Sequence, residues 1–225
     1  MRRAPAAIAL TVLVMACAPT NPAVPSTAAP SSLPAVTPAS SASAPSSPAA
    51  RDLTRGQIEP GTYTRTGFEP QVTFAVEDGW TAGSLATGFF DIQQQQGTPD
   101  VVAIQFGNVE GVVGADGGLV DEPDVQAAVE AIKANPRLET LGESESLLGG
   151  KAGMVIEIEN TSGEHAPILQ VAPGRLGIDS GRRLWIALFD TSSGLLAVMV
   201  GGSIDDWDHA LEVAEPVLES IVIAD

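Results

Sequence analysis

The sequence predicts an α+β domain: one domain with a mostly antiparallel sheet packed by two helices. Three observations carry that expectation. Several short segments alternate apolar and polar residues with the period of two that marks half-buried strands. Two segments repeat apolar residues at three and four, as amphipathic helices do. Turn signals separate the strands closely enough for hairpins, and the helices stand apart from them, which favours an antiparallel sheet over a βαβ alternation.

The first predicted strand holds Val72, Phe74 and Val76, alternating with Gln71, Thr73 and Ala75. Glu77-Asp78-Gly79 turns the chain and Trp80 opens the next strand. Phe89, Phe90 and Ile92 suggest a third strand, ahead of the Gln93 to Gln96 run and the loop signal Gly97-Thr98-Pro99-Asp100. Val102, Ile104 and Phe106 alternate again. Residues 107–118 read as loop because of Gly107, Gly111, Gly114, Gly117 and Gly118. A helix follows, with Asp121 as N-cap, Pro123 in the first turn and Asp124 favouring the positive dipole end. Val125, Ala128, Val129 and Ile132 form its apolar face, and Asn135-Pro136 stops it.

After Gly149-Gly150, Met154, Ile156 and Ile158 face one way and Val155, Glu157 and Glu159 the other. Leu184 to Phe189 is a continuous apolar run, the mark of a central strand covered on both faces. Thr191 to Gly194 turns it into Leu195 to Val200, a hairpin. The closing helix is expected to begin at a capping-box-like Ser203 and Asp206, with Asp205 adding to it. Trp207, Ala210, Leu211, Ala214, Val217, Leu218 and Ile221 share its apolar face. Pro216 lies inside that pattern and is expected to kink the helix or cap its last turn.

The chain has 225 residues and only one cysteine, which excludes an intramolecular disulfide framework, a four-cysteine zinc site and a CxxC redox pair. Net charge is −17. Such a surface repels phosphate, which argues against nucleic acid and anionic lipid as partners. No cofactor motif is present.

The N-terminus has its own signature. Arg2 and Arg3 precede a largely apolar stretch over residues 4–16. It is too short to cross about 30 Å of hydrocarbon comfortably but has the length of a signal-peptide core. It ends at Val14-Met15-Ala16-Cys17. This resembles the bacterial lipobox. The resemblance implies cleavage between Ala16 and Cys17 and a diacylglycerol-cysteine at Cys17, with palmitate-class chains holding the protein to the cell membrane. The alternative is an ordinary secretory signal with Cys17 incidental near the cleavage site. A free thiol is otherwise a liability in a secreted protein, and two acyl chains suffice for stable anchoring.

Residues 18–50 contain ten Ala, eight Pro, eight Ser and three Thr, with no charge. Such a segment cannot offset its ordering entropy and is expected to be a disordered spacer. Extended at about 3.1 Å per residue it reaches roughly 100 Å. The domain plan is therefore a signal peptide over 1–16, a lipidated cysteine and spacer over 17–50, and a folded domain over 51–225. Nine bases against 28 acids leave the folded part at −19.

Gly61-Thr62-Tyr63, then Phe68-x-Pro70, then Phe74, then Asp78-Gly79-Trp80 resembles the opening of uncharacterised extracytoplasmic lipoproteins of actinobacteria and related phyla. The order of elements, with the Gly-Trp turn and the terminal Leu218-Glu219-Ser220-Ile221, is similar to the PsbP-like sandwich, the leading expectation for the fold. That likeness implies a docking or accessory module and carries over no functional residue.

Candidate chemistry is sparse. His209 has Asp205 and Glu212 on its helix at spacings that would gather them for a divalent cation; an exposed ion-pair arrangement is the plainer reading. His165 lies in a loop with no nucleophile near it in sequence. Gly114 to Gly118 lacks the Lys and Ser/Thr of a phosphate loop. Asp116, Asp121, Glu122 and Asp124 lack EF-hand spacing. Arg182-Arg183 either reads an anion or guards a strand edge. Asn160-Thr161-Ser162 matches a glycosylation sequon, uninformative in a bacterial lipoprotein. Tyr63, Phe68, Phe74 and Trp80 read as core. No catalytic or metal-ligating residue is assigned. The expected function is a non-enzymatic, membrane-anchored binding or accessory module with an envelope protein partner of unknown identity. A carrier of a small apolar ligand and a hydrolase with an unrecognised site remain as alternatives.

Overall fold

The computed structural model describes residues 49–224. The predicted leader, Cys17 and nearly all of the 17–50 spacer lie outside the described residues.

The chain begins with β1 (Arg51–Asp52), β2 (Gly56–Gln57) and β3 (Gly61–Thr64), followed by β4 (Gln71–Val76), β5 (Thr81–Ala86) and β6 (Phe89–Gln94). Next come β7 (Val102–Val113), β8 (Leu119–Asp121), α1 (Val125–Lys133), β9 (Glu139–Leu148) and β10 (Lys151–Asn160). Then follow β11 (Ala166–Val171), β12 (Gly174–Ile178), β13 (Arg182–Thr191), β14 (Gly194–Ser203), α2 (Trp207–Ser220) and β15 (Val222–Ala224). A small sheet runs β1-β3-β4-β15. A large one runs β2-β5-β6-β7-β14-β13-β10-β9, with β8 and β11 attached to β7 and β12 to β11. The β1–β3 pairing is parallel and the others are antiparallel.

The α+β class gives way to a sheet-dominated sandwich. Among the described residues fifteen strands stand against two helices of 9 and 14 residues. The strands β1, β2, β3, β8, β9, β11, β12 and β15, which the sequence did not announce, account for the difference. β8 and β9 are exposed along nearly their whole length, so no burial imposes an apolar alternation on them. The reading of 107–118 as loop is corrected as well, since β7 continues to Val113. Gly107 and Gly111 serve close approach here and not turning. A Cβ on Gly111 would lie 2.8 Å from Leu119 Cγ, and one on Gly107 would lie 3.1 Å from Val171 Cγ1. The two bare positions let β8 and β11 settle onto β7.

The large sheet is covered on both faces. On β14, Leu196, Val198 and Val200 enter one core while Leu195, Ala197 and Met199 enter the other. This is why the run is apolar throughout and shows no period of two. The first core lies against the small sheet and α2. It is built on Phe74, Phe90 and Phe106, with Phe90–Phe106 centroids 4.4 Å apart and Phe74–Phe106 5.4 Å apart. Tyr63, Phe68 and Trp80 are buried in the same cluster, so the residues of the GTY, FxP and Gly-Trp opening meet there. The second core lies against α1, which supplies Ala128, Val129 and Ile132.

Both helix starts differ from expectation. Asp124, not Asp121, caps α1: its Oδ1 accepts from the Ala127 N–H at 2.8 Å, while Asp121 ends β8. Ser203 belongs to β14, and α2 begins at Trp207 behind Asp206, whose side chain makes no capping bond. The capping box fails because the last β14–β13 pair, Ser203 with Arg182, holds Ser203 in the ladder. The predicted apolar face of α2 is the one that packs on the first core. Trp207, Ala210, Ala214 and Val217 are buried, while Leu211 and Leu218 sit half-buried at its margin. Gly202 lets the helix approach closely, because a Cβ there would come 2.6 Å from the Ala210 Cβ. The small-residue side of the helix thus drops onto β14. α2 runs through Pro216 to Ser220, whose Oγ accepts from the Ala75 N–H at 2.8 Å.

One carboxylate is built into the sheet. Asp91 on β6 is 4% exposed and faces the bulge at Gly83-Ser84 in β5. Its Oδ1 accepts from the Ser84 N–H and its Oδ2 from Gln93 Nε2, each at 2.6 Å. Burial raises its pKa above the ordinary 3.8, while the Ser84 and Gln93 hydrogen bonds and the Arg55 charge pull the other way. A folded pKa above the unfolded one means that the native state binds the proton more tightly. Stability from this group is therefore fullest in acid and declines as pH rises from the unfolded value through the folded one. Asp91→Asn keeps an oxygen for Ser84 and removes the buried charge. In urea unfolding at pH 4 and pH 7, the variant should gain on the parent at the higher pH. A difference independent of pH would show that Asp91 titrates normally.

Candidate functional site

The residues that sequence reasoning singled out are mostly committed to structure. His165 Nδ1 lies 2.8 Å from Asp179 Oδ1, with both side chains exposed. Its Nε2 rests against β12, 2.6 Å from where a Gly177 Cβ would stand. The ring nitrogen that would activate a nucleophile is thus turned to the sheet. Arg137 completes the tie by donating to the His165 carbonyl at 3.3 Å and pairing with Glu164 at 3.1 Å. The arrangement joins the β10–β11 loop to β12 and to the end of α1.

Arg182 donates to the carbonyls of Pro99 and Val101 at 2.8 and 2.7 Å, holding the loop before β7. Burial pushes its pKa below the ordinary value, against the pull of Asp179 and Asp100. Arg183 pairs with Glu157 across β10–β13 and lies over the Trp207 ring at 5.0 Å. Neither guanidinium is left to read an anion. Asp116 accepts from the Gly118 N–H at 2.9 Å and closes its own turn. Asn160 is wholly buried and its amide is used on both sides, so the sequon has no room for a sugar.

His209 lines a groove on the outer side of α2. It lies between α2 and the β4–β5 turn, has a volume of about 400 Å³, and includes Trp80, Val213 and Pro216 with Glu77 and Glu212. His209 Nδ1 is 3.9 Å from Glu212 Oε2, a loose pair. Asp205 is not brought to them as a third ligand: among the described residues no group of three His, Cys, Asp or Glu side chains is placed to hold a metal ion. The groove offers an apolar floor, an acidic rim and one titratable ring, which suits docking a cationic or amphipathic group.

Sequence reasoning missed the surface on the other face, around β9 and the start of α1. Glu143, Glu145 and Leu147 alternate there with Gly142, Ser144 and Ser146. That period-two pattern was the available signal, obscured by its polarity.

No protein-family profile matches the chain, and no curated protein matches it. Solved structures similar to it include the cyanobacterial PsbP protein (CyanoP) of Synechocystis. That likeness is at 13% identity and TM-score 0.42, over 74% of this chain and 94% of that one. LpqN of Mycobacterium tuberculosis, described as involved in cell envelope biogenesis, is similar at 14% identity and TM-score 0.42, over 76% of this chain and 91% of that one. A protein of Bacteroides thetaiotaomicron is similar at 10% identity and TM-score 0.38, over 76% of this chain and 50% of that one. At these scores the likeness is distant.

Proposed function

We propose that this chain is a lipid-anchored, extracytoplasmic docking or accessory module, without a catalytic centre of its own. The observation that carries the reading is the filled interior. Stacked phenylalanines occupy the space between the two sheets where a carrier would keep its ligand, and α1 with β11 fills the opposite face. The surfaces left for recognition include outer grooves of apolar floor and acidic rim, the type that receives a protein segment. The acylated Cys17 holds the module to the cell membrane, and residues 18–50 set its reach.

The test is fractionation. Cys17→Ser should release the protein into the medium or leave it unprocessed. A variant that is cleaved normally yet still sediments with membranes after high-salt washing would refute the lipid anchor.

A further inference from the structure

β9 is ten residues long, and among the described residues it pairs only with β10. Its outer side therefore presents a row of backbone donors and acceptors, a ready template for another strand. Over residues 142–148 the side chains sort cleanly. Glu143, Glu145 and Leu147 share the α1 face with their partners Ile156, Met154 and Ala152. Gly142, Ser144 and Ser146 turn to the other face, where Leu148 packs on the first core. Leu147 is 77% exposed, an unusual position for a leucine beside a free edge.

Inboard of Leu147 the sheet is bare for a geometric reason. β10 and β13, at ten residues, span about 33 Å, whereas α1, at nine, spans about 14 Å. α1 is held against β9 at its far end, where Lys133 Nζ lies 2.9 Å from Glu143. Beyond its first residue a groove of about 670 Å³ opens, with Val125, Leu147 and Met154 as apolar lining and Glu145 and Asp190 as the charged groups.

The geometry points to one occupant: an extended, Lys- or Arg-bearing segment of a partner protein, added as a strand to the outer edge of β9. Its apolar side chains would meet Leu147 and Met154, and its basic ones Glu145 and Asp190. Backbone pairing supplies affinity in such an addition, and alternate side chains supply selectivity. Charge decides against a second copy of this chain. Two-fold antiparallel pairing of β9 with itself keeps like faces together. Every well-overlapped register then sets Glu143 or Glu145 opposite a glutamate, which is destabilising. A basic strand reverses that sign, and the −19 of the folded part steers it inward.

This inference rests on the reading of the domain as a docking module and names the chemistry of its partner. The probe is a fluorescent ten-residue peptide alternating Lys and Val, titrated into the full chain in detergent and followed by anisotropy and amide hydrogen exchange. Binding should weaken with salt, and amides of residues 142–148 should gain protection. A peptide of the same charge with N-methyl groups on alternate residues should bind at least tenfold more weakly, because it cannot complete the ladder. Glu145→Lys with Leu147→Lys should also lose at least tenfold, while Asp208→Lys with Glu215→Lys, both exposed on α2, should stay within about twofold. Absence of binding, equal binding of the methylated peptide, equal binding of a Glu-Val peptide, or equal loss in the α2 variant would overturn the proposal. Membrane release of Cys17→Ser is read separately, so either idea can fail without the other.

Discussion

Phe106→Ala should cost about 3–5 kcal/mol in urea unfolding, the range for a buried phenylalanine. Phe106 is fully buried on β7, stacked on Phe90 at 4.4 Å and Phe74 at 5.4 Å, so it joins the large sheet to the small one. The lost ring removes transfer free energy and leaves a cavity that two stiff neighbouring rings cannot collapse into. Phe106→Leu keeps most of the volume and should cost less than about half as much. Equal costs for the two variants would show that the stack closes over the gap, and that the interior is softer than the ring geometry states.

Asn160→Ala should cost about 2–4 kcal/mol, because a buried polar group left unpaired carries its full desolvation penalty. Asn160 Nδ2 donates to the carbonyls of Glu164 and Ile178 at 2.6 and 2.9 Å, and Oδ1 accepts from the Ser162 N–H and hydroxyl at 3.0 and 2.7 Å. The one side chain thus fixes the β10–β11 loop onto the end of β12. Asn160→Asp separates this from simple size. At neutral pH a carboxylate would face two carbonyl oxygens inside the protein, so the variant should be at least as unstable as Asn160→Ala. It should recover stability as pH falls and the carboxyl regains a proton. A pH-independent loss would place the cost in packing and not in hydrogen bonding.

These two residues show what can be read in a sequence and what cannot. Phe106 declares itself through the alternation Val102, Ile104, Phe106, since a strand with one face on a core must repeat every second residue. Asn160 gives no such sign. It reads as part of a surface tripeptide, and only the convergence of β10, β11 and β12 buries it. The same holds for the site. His209 was legible as a residue on an amphipathic helix, but its groove exists because Trp80 and the β4–β5 turn arrive from far away in the chain. The edge at β9 was illegible for the opposite reason. Its residues are polar because the strand is exposed, and exposure erases the hydropathy signal by which strands are found.

The sequence by itself determined the core strands β4, β6, β10 and the first half of β7, the hairpin of β13 and β14, the existence of both helices, and the acidic charge of the folded part. Each depends on local period or composition, which the chain states directly. The tertiary structure decided that sheet, not helix, dominates, that glycines 107 and 111 lie within a strand, and how closely α2 approaches β14. It also decided which edge stays open. Those outcomes depend on what lies across a contact: Leu119 against Gly111, Ala210 against Gly202, and a nine-residue helix against ten-residue strands. Packing between residues distant in sequence selects among local arrangements of similar free energy, and that selection is invisible until the partners have met.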